Sequence, residues 1–241
     1  VKYALETKPG ACCARNAGIR NAAGELIAFT DSDCVADEKW LSTLVPRFEN
    51  ENLGGCGGYL KPAPPRTLIE EYVIHKDILS QERAMEEEPI SPPFLVTANA
   101  MYRKKALQEV NGFDERLTVN GEDADLSWRI VWKGYSLDYE PRAVVQHNHR
   151  STLGGLLRQV KSYGSGSSWL FWKHRAKFGY GGFFISAPYK ELFISLLTIP
   201  VKLVTGKNRL ERAIPVLDFL GAVFFLFGKL STSIKLRVKF I

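Results

Sequence analysis

Four cysteines in 241 residues, Cys12, Cys13, Cys34 and Cys56, are too few and too irregularly spaced for a disulfide scaffold or a C-x-x-C redox or zinc site. Adjacent Cys12 and Cys13 would point to different faces of a helix, which argues against a shared structural zinc. No secretory signal precedes them, so all four are expected to be reduced thiols of a cytosolic domain. Uninterrupted apolar runs of the ~20 residues needed to cross a bilayer are also missing. Residues 192–204 are broken by Pro200 and Lys202, and residues 213–227 contain Pro215 and Asp218. No basic motif interleaved with base-reading aromatics is present, so nucleic acid is not an expected partner. There is no starting Met and no polar lead-in. Val1-Lys2-Tyr3-Ala4 reads as a strand, and the chain is expected to be a fragment lacking part of a sheet.

What is present suffices for one good core with a small appendage: 45% of the residues are apolar and 24% charged. The net charge of +6 conceals an asymmetry. Residues 1–150 hold 18 Lys and Arg against 23 Asp and Glu, whereas residues 151–241 hold 14 against 3. An acidic domain followed by a basic, aromatic-rich region suits an anionic membrane surface. The expected division is therefore a mildly acidic domain over 1–150 and a basic helical region over 151–241.

The stretch Leu26-Ile27-Ala28-Phe29-Thr30-Asp31-Ser32-Asp33-Cys34 organises the rest. An apolar run of strand length between Gly24 and two carboxylates predicts a buried strand that ends in a charged loop. In open α/β sheets ligands bind at that edge, where paired oxygen donors can share a divalent cation with a diphosphate. Asp31 and Asp33 serve equally well as turn formers leading into the next helix. Upstream, Pro9-Gly10 marks a turn, and residues 11–23 read as a helix carrying Arg15 and Asn16.

Downstream, Asp37 caps a helix over 38–48 whose apolar stripe is Trp40, Leu41, Leu44 and Val45. The glycine-rich residues 53–60 read as a strand closely approached by another backbone or a ligand, or bulged. A Pro-rich connector leads to a long amphipathic helix over 67–85, where His75 reads as a surface residue, and then to an acidic loop over 86–93. Residues 94–97 form a short strand running into Ala98-Asn99-Ala100, and 104–110 a helix stopped by Asn111-Gly112. Glu122 and Asp123 occupy the first turn of a helix reaching Trp132, where the macrodipole alone would favour them. Strands over 136–140 and 143–146 precede His147 and His149, which alternate along extended chain and could supply one metal ligand or simply form polar surface.

In this order the motifs Ala14-Arg15-Asn16-Ala17-Gly18, Phe29-Thr30-Asp31-Ser32-Asp33, Thr97-Ala98-Asn99-Ala100-Met101, Gly112-Phe113-Asp114, Gly121-Glu122-Asp123-Ala124-Asp125-Leu126 and His147 resemble those of the family-2 inverting glycosyltransferases. Each motif is short; six in sequence over residues 1 to about 150 are specific. The resemblance implies a GT-A fold, Rossmann-like, with a mixed central sheet flanked by helices and an N-terminal nucleotide-binding strand missing ahead of Val1. It implies a nucleotide-diphospho-sugar donor, with Arg15, Asn16, Asp31 and Asn99 on the donor side. Mg2+ or Mn2+ would sit on Asp31, Asp33 and His147, with His149 as substitute ligand. Asp123, beside Glu122, would be the general base that takes the acceptor hydroxyl proton.

After residue 150 a helical segment over 151–177 leads to the two interrupted apolar stretches, flanked by Lys190, Lys207, Arg209, Arg212, Lys229, Lys235 and Arg237. They suit an interfacial helical hairpin or a marginal pair of membrane helices, and a soluble helical pair fits the same lengths. The expectation is a sugar transferase at the cytoplasmic face of the membrane that builds polysaccharide or glycolipid on a glycan or lipid-linked acceptor. Two other functions use the same residues: a metal-dependent nucleotidyl or phosphoryl transferase, which would need Asp31 and Asp33 but not Asp123, and a non-catalytic truncated binding module.

Overall fold

The apolar run after Gly24 becomes a strand because its side chains can be buried on both sides at once. In the computed structural model, which describes residues 3–88, 91–179, 182–183 and 186–240, β1 (Leu26–Thr30) turns Ile27 and Phe29 into one packed layer and Leu26 and Ala28 into another. Around it the chain runs α1 (Ala11–Asn21), β1, β2 (Cys34–Ala36), α2 (Trp40–Leu44), a 3-10 turn (Val45–Glu49), β3 (Leu53–Pro62), α3 (Leu68–His75), α4 (Gln81–Ala84), β4 (Asn99–Arg103), α5 (Lys104–Glu109), α6 (Glu122–Val131) and β5 (Ser136–His147). There follow α7 (Leu153–Phe178), β6 (Gly182–Phe183), α8 (Ala187–Thr205), α9 (Arg209–Leu236) and β7 (Lys239–Phe240).

Two compact units result, one within Val1–Ala63, Leu79–Thr118 and Glu122–Asn148, the other within Pro64–Ile78, Val119–Gly121 and His149–Ile241. The first is the expected α/β architecture. Its five strands lie in the order β1-β4-β3-β5-β2, with β3 and β5 parallel and every other pair antiparallel, a mixed sheet. On one side Ile27, Ala100 and Tyr102 pack with Cys12 and Ile19 of α1, Ala106 and Leu107 of α5, and Leu126 and Ile130 of α6. On the other, Cys56, Leu60, Met101 and Val145 pack with Trp40 and Leu44 of α2 and with Phe48. Helices therefore cover both faces at β1, which is why Leu26–Phe29 is an unbroken apolar run, whereas β5 carries Asp138, Glu140 and Arg142.

Glycine is required where β3 crosses β5. A Cβ on Gly58 would collide with the Ala143 carbonyl and the Asn99 amide, and the register jumps there from Gly58 opposite Glu140 to Tyr59 opposite Val144. Close approach and bulge, offered as alternatives by the sequence, coincide at this position. The two strands expected over 136–146 are one strand carrying that bulge.

Several local expectations give way. Tyr3 and Ala4 are exposed and not in a strand; Val1 and Lys2 lie outside the described residues. The long helix expected over 67–85 is two, α3 and α4, separated by Asp77 and Leu79 at φ 49° and 75°. A left-handed leucine cannot continue a helix. The strand expected at 94–97 is irregular, and pairing begins at Asn99. Asp37 accepts from the Lys39 amide, yet the helix behind it is short because Pro46 brings a 3-10 turn; Trp40 and Leu44 are buried while Leu41 and Val45 stay exposed. Cys12 and Cys13 are both buried, and all four cysteines are free thiols.

In the second unit, Tyr72 and Val73 of α3 pack against Leu156 of α7 and Leu217 of α9, and His75 is exposed as expected. α7 is one helix of 26 residues, as the helical segment expected over 151–177, and runs through Gly164-Ser165-Gly166. Those small residues let α9 approach: a Cβ on Gly228 would collide with the Lys161 carbonyl, Ser165 Oγ donates to the Gly228 carbonyl (3.2 Å) and Ser168 Oγ to that of Lys229 (2.8 Å).

Candidate active site and cation site

Asp31, at the end of β1, and Glu122 and Asp123, in the first turn of α6, share one counter-ion, Arg15 of α1. Its guanidinium is 2.9 Å from Asp31 Oδ1, 2.8 Å from Glu122 Oε1 and 3.8 Å from Asp123 Oδ1, and it lies over the Phe113 ring at 5.5 Å. Burial works against the Arg15 charge, but the carboxylates of Asp123, Asp31 and Glu122 more than offset it and raise its pKa. Helix α6 can direct its first turn here because its other face is anchored: Leu126 and Ile130 are fully buried, and buried Asp125 takes two hydrogen bonds from Arg129 one turn on.

Asp123 is the more constrained of the two neighbouring acids. Thr97 holds both its oxygens, the hydroxyl donating to Oδ1 at 2.6 Å and the amide to Oδ2 at 3.1 Å. Burial chiefly, and then the Glu122 carboxylate, push the Asp123 carboxyl up to about 7, against the pull of Arg15 and Thr97. Its side chain is nevertheless 20% exposed, so one edge remains open to solvent. A fixed carboxyl titrating near neutrality suits proton transfer.

A second cluster forms across the β2–β5 pair. Cys34 stands opposite His147 in register, and Asp33 precedes it. Asp33 Oδ1 is 3.7 Å from His147 Nε2 and 3.9 Å from Cys34 Sγ, and donor atoms of the three residues all lie within 4.8 Å of one another. The loop is fixed by its backbone: the Asn148 amide and side chain both donate to the Asp33 carbonyl at 3.0 Å, and the Cys34 amide donates to that of Asp31. Carboxylate, imidazole and thiol facing one point fit a divalent transition ion. His149 is not in this group and belongs to the second unit.

The expected residues thus separate. Asp33 and His147 come together, while Asp31 turns to Arg15 and the α6 acids. Asn16 and Asn99 are buried with both amide hydrogens spent inside the protein. Asn16 donates to the Phe113 carbonyl and Glu115 and accepts from the Phe113 amide, holding the Gly112-Phe113-Asp114 turn. Asn99 donates to the Tyr59 and Ala143 carbonyls and accepts from Trp40 Nε1 at 2.7 Å, stapling the β3–β5 bulge to α2. Asn99→Leu strands those three partners, and a melting experiment should show a loss of about 2–4 kcal/mol; a loss below 1 kcal/mol would mean the staple is not structural. No site role was legible in the sequence for Thr97, Cys34 or Asn148, although each lies within two residues of Asn99, Asp33 or His147.

Residues 1–110 match the model of glycosyl transferase family 2, a span that includes Arg15, Asp31 and Asp33 and stops before Glu122. The pre-mycofactocin glycosyltransferase of Mycobacterium tuberculosis is 31% identical over 178 residues, 70% of this chain and 36% of the relative. The O-antigen chain rhamnosyltransferase RfbN of Salmonella typhimurium is 29% identical over 56% of this chain and 46% of the relative, and the poly-beta-1,6-N-acetyl-D-glucosamine synthase of Staphylococcus epidermidis 27% over 67% and 40%. The chain therefore spans between about a third and a half of the length of these relatives. Likeness to a solved structure, GalNAc-T7 with UDP, GalNAc and Mn2+, is slight: 15% identity and a TM-score of 0.45 over 67% of this chain and 36% of that one.

Proposed function

We propose that this chain, whose residues 1–110 match the model of glycosyl transferase family 2, moves a sugar from a nucleotide-diphospho-sugar to an acceptor hydroxyl, in one displacement with inversion, in the synthesis of a surface polysaccharide or glycolipid. The observation that carries this reading is the Asp123 carboxyl, fixed on both oxygens by Thr97 and raised to about 7 beside Arg15. A base for an acceptor hydroxyl needs that immobility and that pKa. A nucleotidyl or phosphoryl transferase would use the Asp31–Asp33 loop and leave Asp123 without a task.

In this mechanism Asp123 takes the acceptor proton and Thr97 aims it. Glu122 holds Arg15, which keeps Asp31 and the cation loop in register with α6. Asp33 and His147 would hold a divalent cation, which when bound neutralises charge building on the departing diphosphate. The test is a panel of nucleotide-sugars titrated with and without Mn2+. Cation-dependent binding of at least one is expected; binding of none would overturn the transferase reading.

The second unit supports a membrane-bound enzyme. α9 is 28 residues long with a mean hydropathy of 1.8 over its most apolar 18, long and apolar enough to cross a bilayer. In α8, Phe193, Ile194, Leu196, Leu197, Leu203 and Val204 are each more than half exposed. So much exposed apolar surface, bordered by Lys190, Lys202 and Lys207, suits the membrane boundary. We expect the full chain to sediment with anionic vesicles and to resist high salt, because apolar insertion adds to roughly 1 kcal/mol per basic residue near the surface. A chain ending at residue 181 should lose this binding. A full chain that stays monodisperse without detergent and ignores anionic vesicles would make α8 and α9 a soluble helical pair.

A further inference from the structure

We propose that Cys34 is a metal ligand, so that the cation site of Asp33, Cys34 and His147 prefers thiophilic ions of the zinc and cobalt class to Mg2+. The inference deepens the cation site above and rests on it. It starts from strand register. In an antiparallel pair, directly opposed residues project to the same side of the sheet, and Cys34 opposes His147. The thiol is thereby brought to the imidazole by backbone pairing, and Asp33 is held next to both by the two hydrogen bonds from Asn148.

Spacing then discriminates between ion classes. Tetrahedral zinc with bonds of about 2.0–2.3 Å sets its donors about 3.3–3.8 Å apart, whereas octahedral magnesium at about 2.1 Å needs neighbouring oxygens near 3 Å. The observed 3.7 Å from Asp33 to His147 and 3.9 Å from Asp33 to Cys34 lie close to the upper end of the tetrahedral range and well beyond the spacing of neighbouring magnesium oxygens. Donor chemistry agrees, since one oxygen, one nitrogen and one sulfur are a borderline-soft set. Asp31 does not harden it, because its carboxylate faces Arg15 at 2.9 Å. Three protein donors leave a fourth position for water or a diphosphate oxygen. His147 is buried while Asp33 and Cys34 are half-buried, so an ion can reach the site from solvent. Binding converts the thiol to a thiolate and releases its proton to solvent, with no change of oxidation state.

Cobalt alone tests this on the full chain, without donor or acceptor. Co2+ should bind at one ion per chain with a thiolate-to-cobalt charge-transfer band in the near ultraviolet. Zn2+ should abolish the band, and about a hundredfold excess of Mg2+ should leave it. Cys34→Ser, shown to be folded by circular dichroism, should lose the band, and both Cys34→Ser and His147→Ala should bind cobalt roughly tenfold or more weakly. Cobalt uptake without the band, an unchanged band in Cys34→Ser, displacement by Mg2+, or no uptake at all would each overturn the role of Cys34. None of these readouts uses a nucleotide-sugar, so failure here is separate from failure of the transferase reading, which the donor titration decides.

Discussion

Asp123→Asn should lower turnover by roughly 10²-fold or more and leave donor affinity within a factor of a few, because removing a positioned base affects the step in which the proton moves. The substitution is close to isosteric, and the Asn carbonyl can still accept from the Thr97 hydroxyl. Glu122→Gln is the comparison: Glu122 is bonded to Arg15 at 2.8 Å, whereas Asp123 is 3.8 Å away and bonded to Thr97. If Glu122→Gln stops turnover and Asp123→Asn does not, the roles are reversed. pH adds an independent check. Only ionised Asp123 accepts a proton, and its carboxyl sits at about 7, so kcat/KM should fall as pH drops through neutrality rather than through the usual carboxylate range near 4. In Asp123→Asn that limb should vanish. A profile flat from pH 8 to 5 in the native chain would remove Asp123 from the role.

Asp33→Ala should abolish cation-dependent donor binding while melting within about 1 kcal/mol of the native chain. The side chain is 30% exposed on a loop, so its loss opens no core cavity, and the bonds holding the loop use the Asp33 carbonyl, which alanine keeps. His147→Ala should weaken cation binding as well, and it should also destabilise, since the ring is buried at the end of β5. The contrast separates ligand loss from structural loss. Unchanged Mn2+-dependent binding of a nucleotide-sugar by Asp33→Ala would exclude a cation at this loop.

The unevenness of what could be read along the chain has a physical basis. β1, α5, α6 and α7 were legible because their signals are local: an apolar run bounded by glycine and aspartate, a stop at Asn111-Gly112, or an apolar period sustained over several turns. The break between α3 and α4 was not, because it rests on left-handed Asp77 and Leu79, and leucine gives no signal of that conformation. β2 was missed for a related reason. Three residues become a strand only because β5 lies beside them.

The site divides along the same line. Motif order alone singled out Asp31, Asp33, Asp123 and His147 as candidates, since short motifs keep their sequence whatever their neighbours do. It grouped Asn16 and Asn99 with them, and only the folded chain shows those amides spent on the Phe113 turn and the β3–β5 bulge. Tertiary structure also decided that Arg15 joins Asp31 to α6, 107 residues from Glu122, and that Thr97 holds Asp123. It set Cys34 opposite His147. Residue type can be read from a one-dimensional string. A ligand set, an ion pair or a raised pKa depends on distances of a few ångströms between segments far apart in the chain, and these exist only after the sheet has paired and the helices have packed on it.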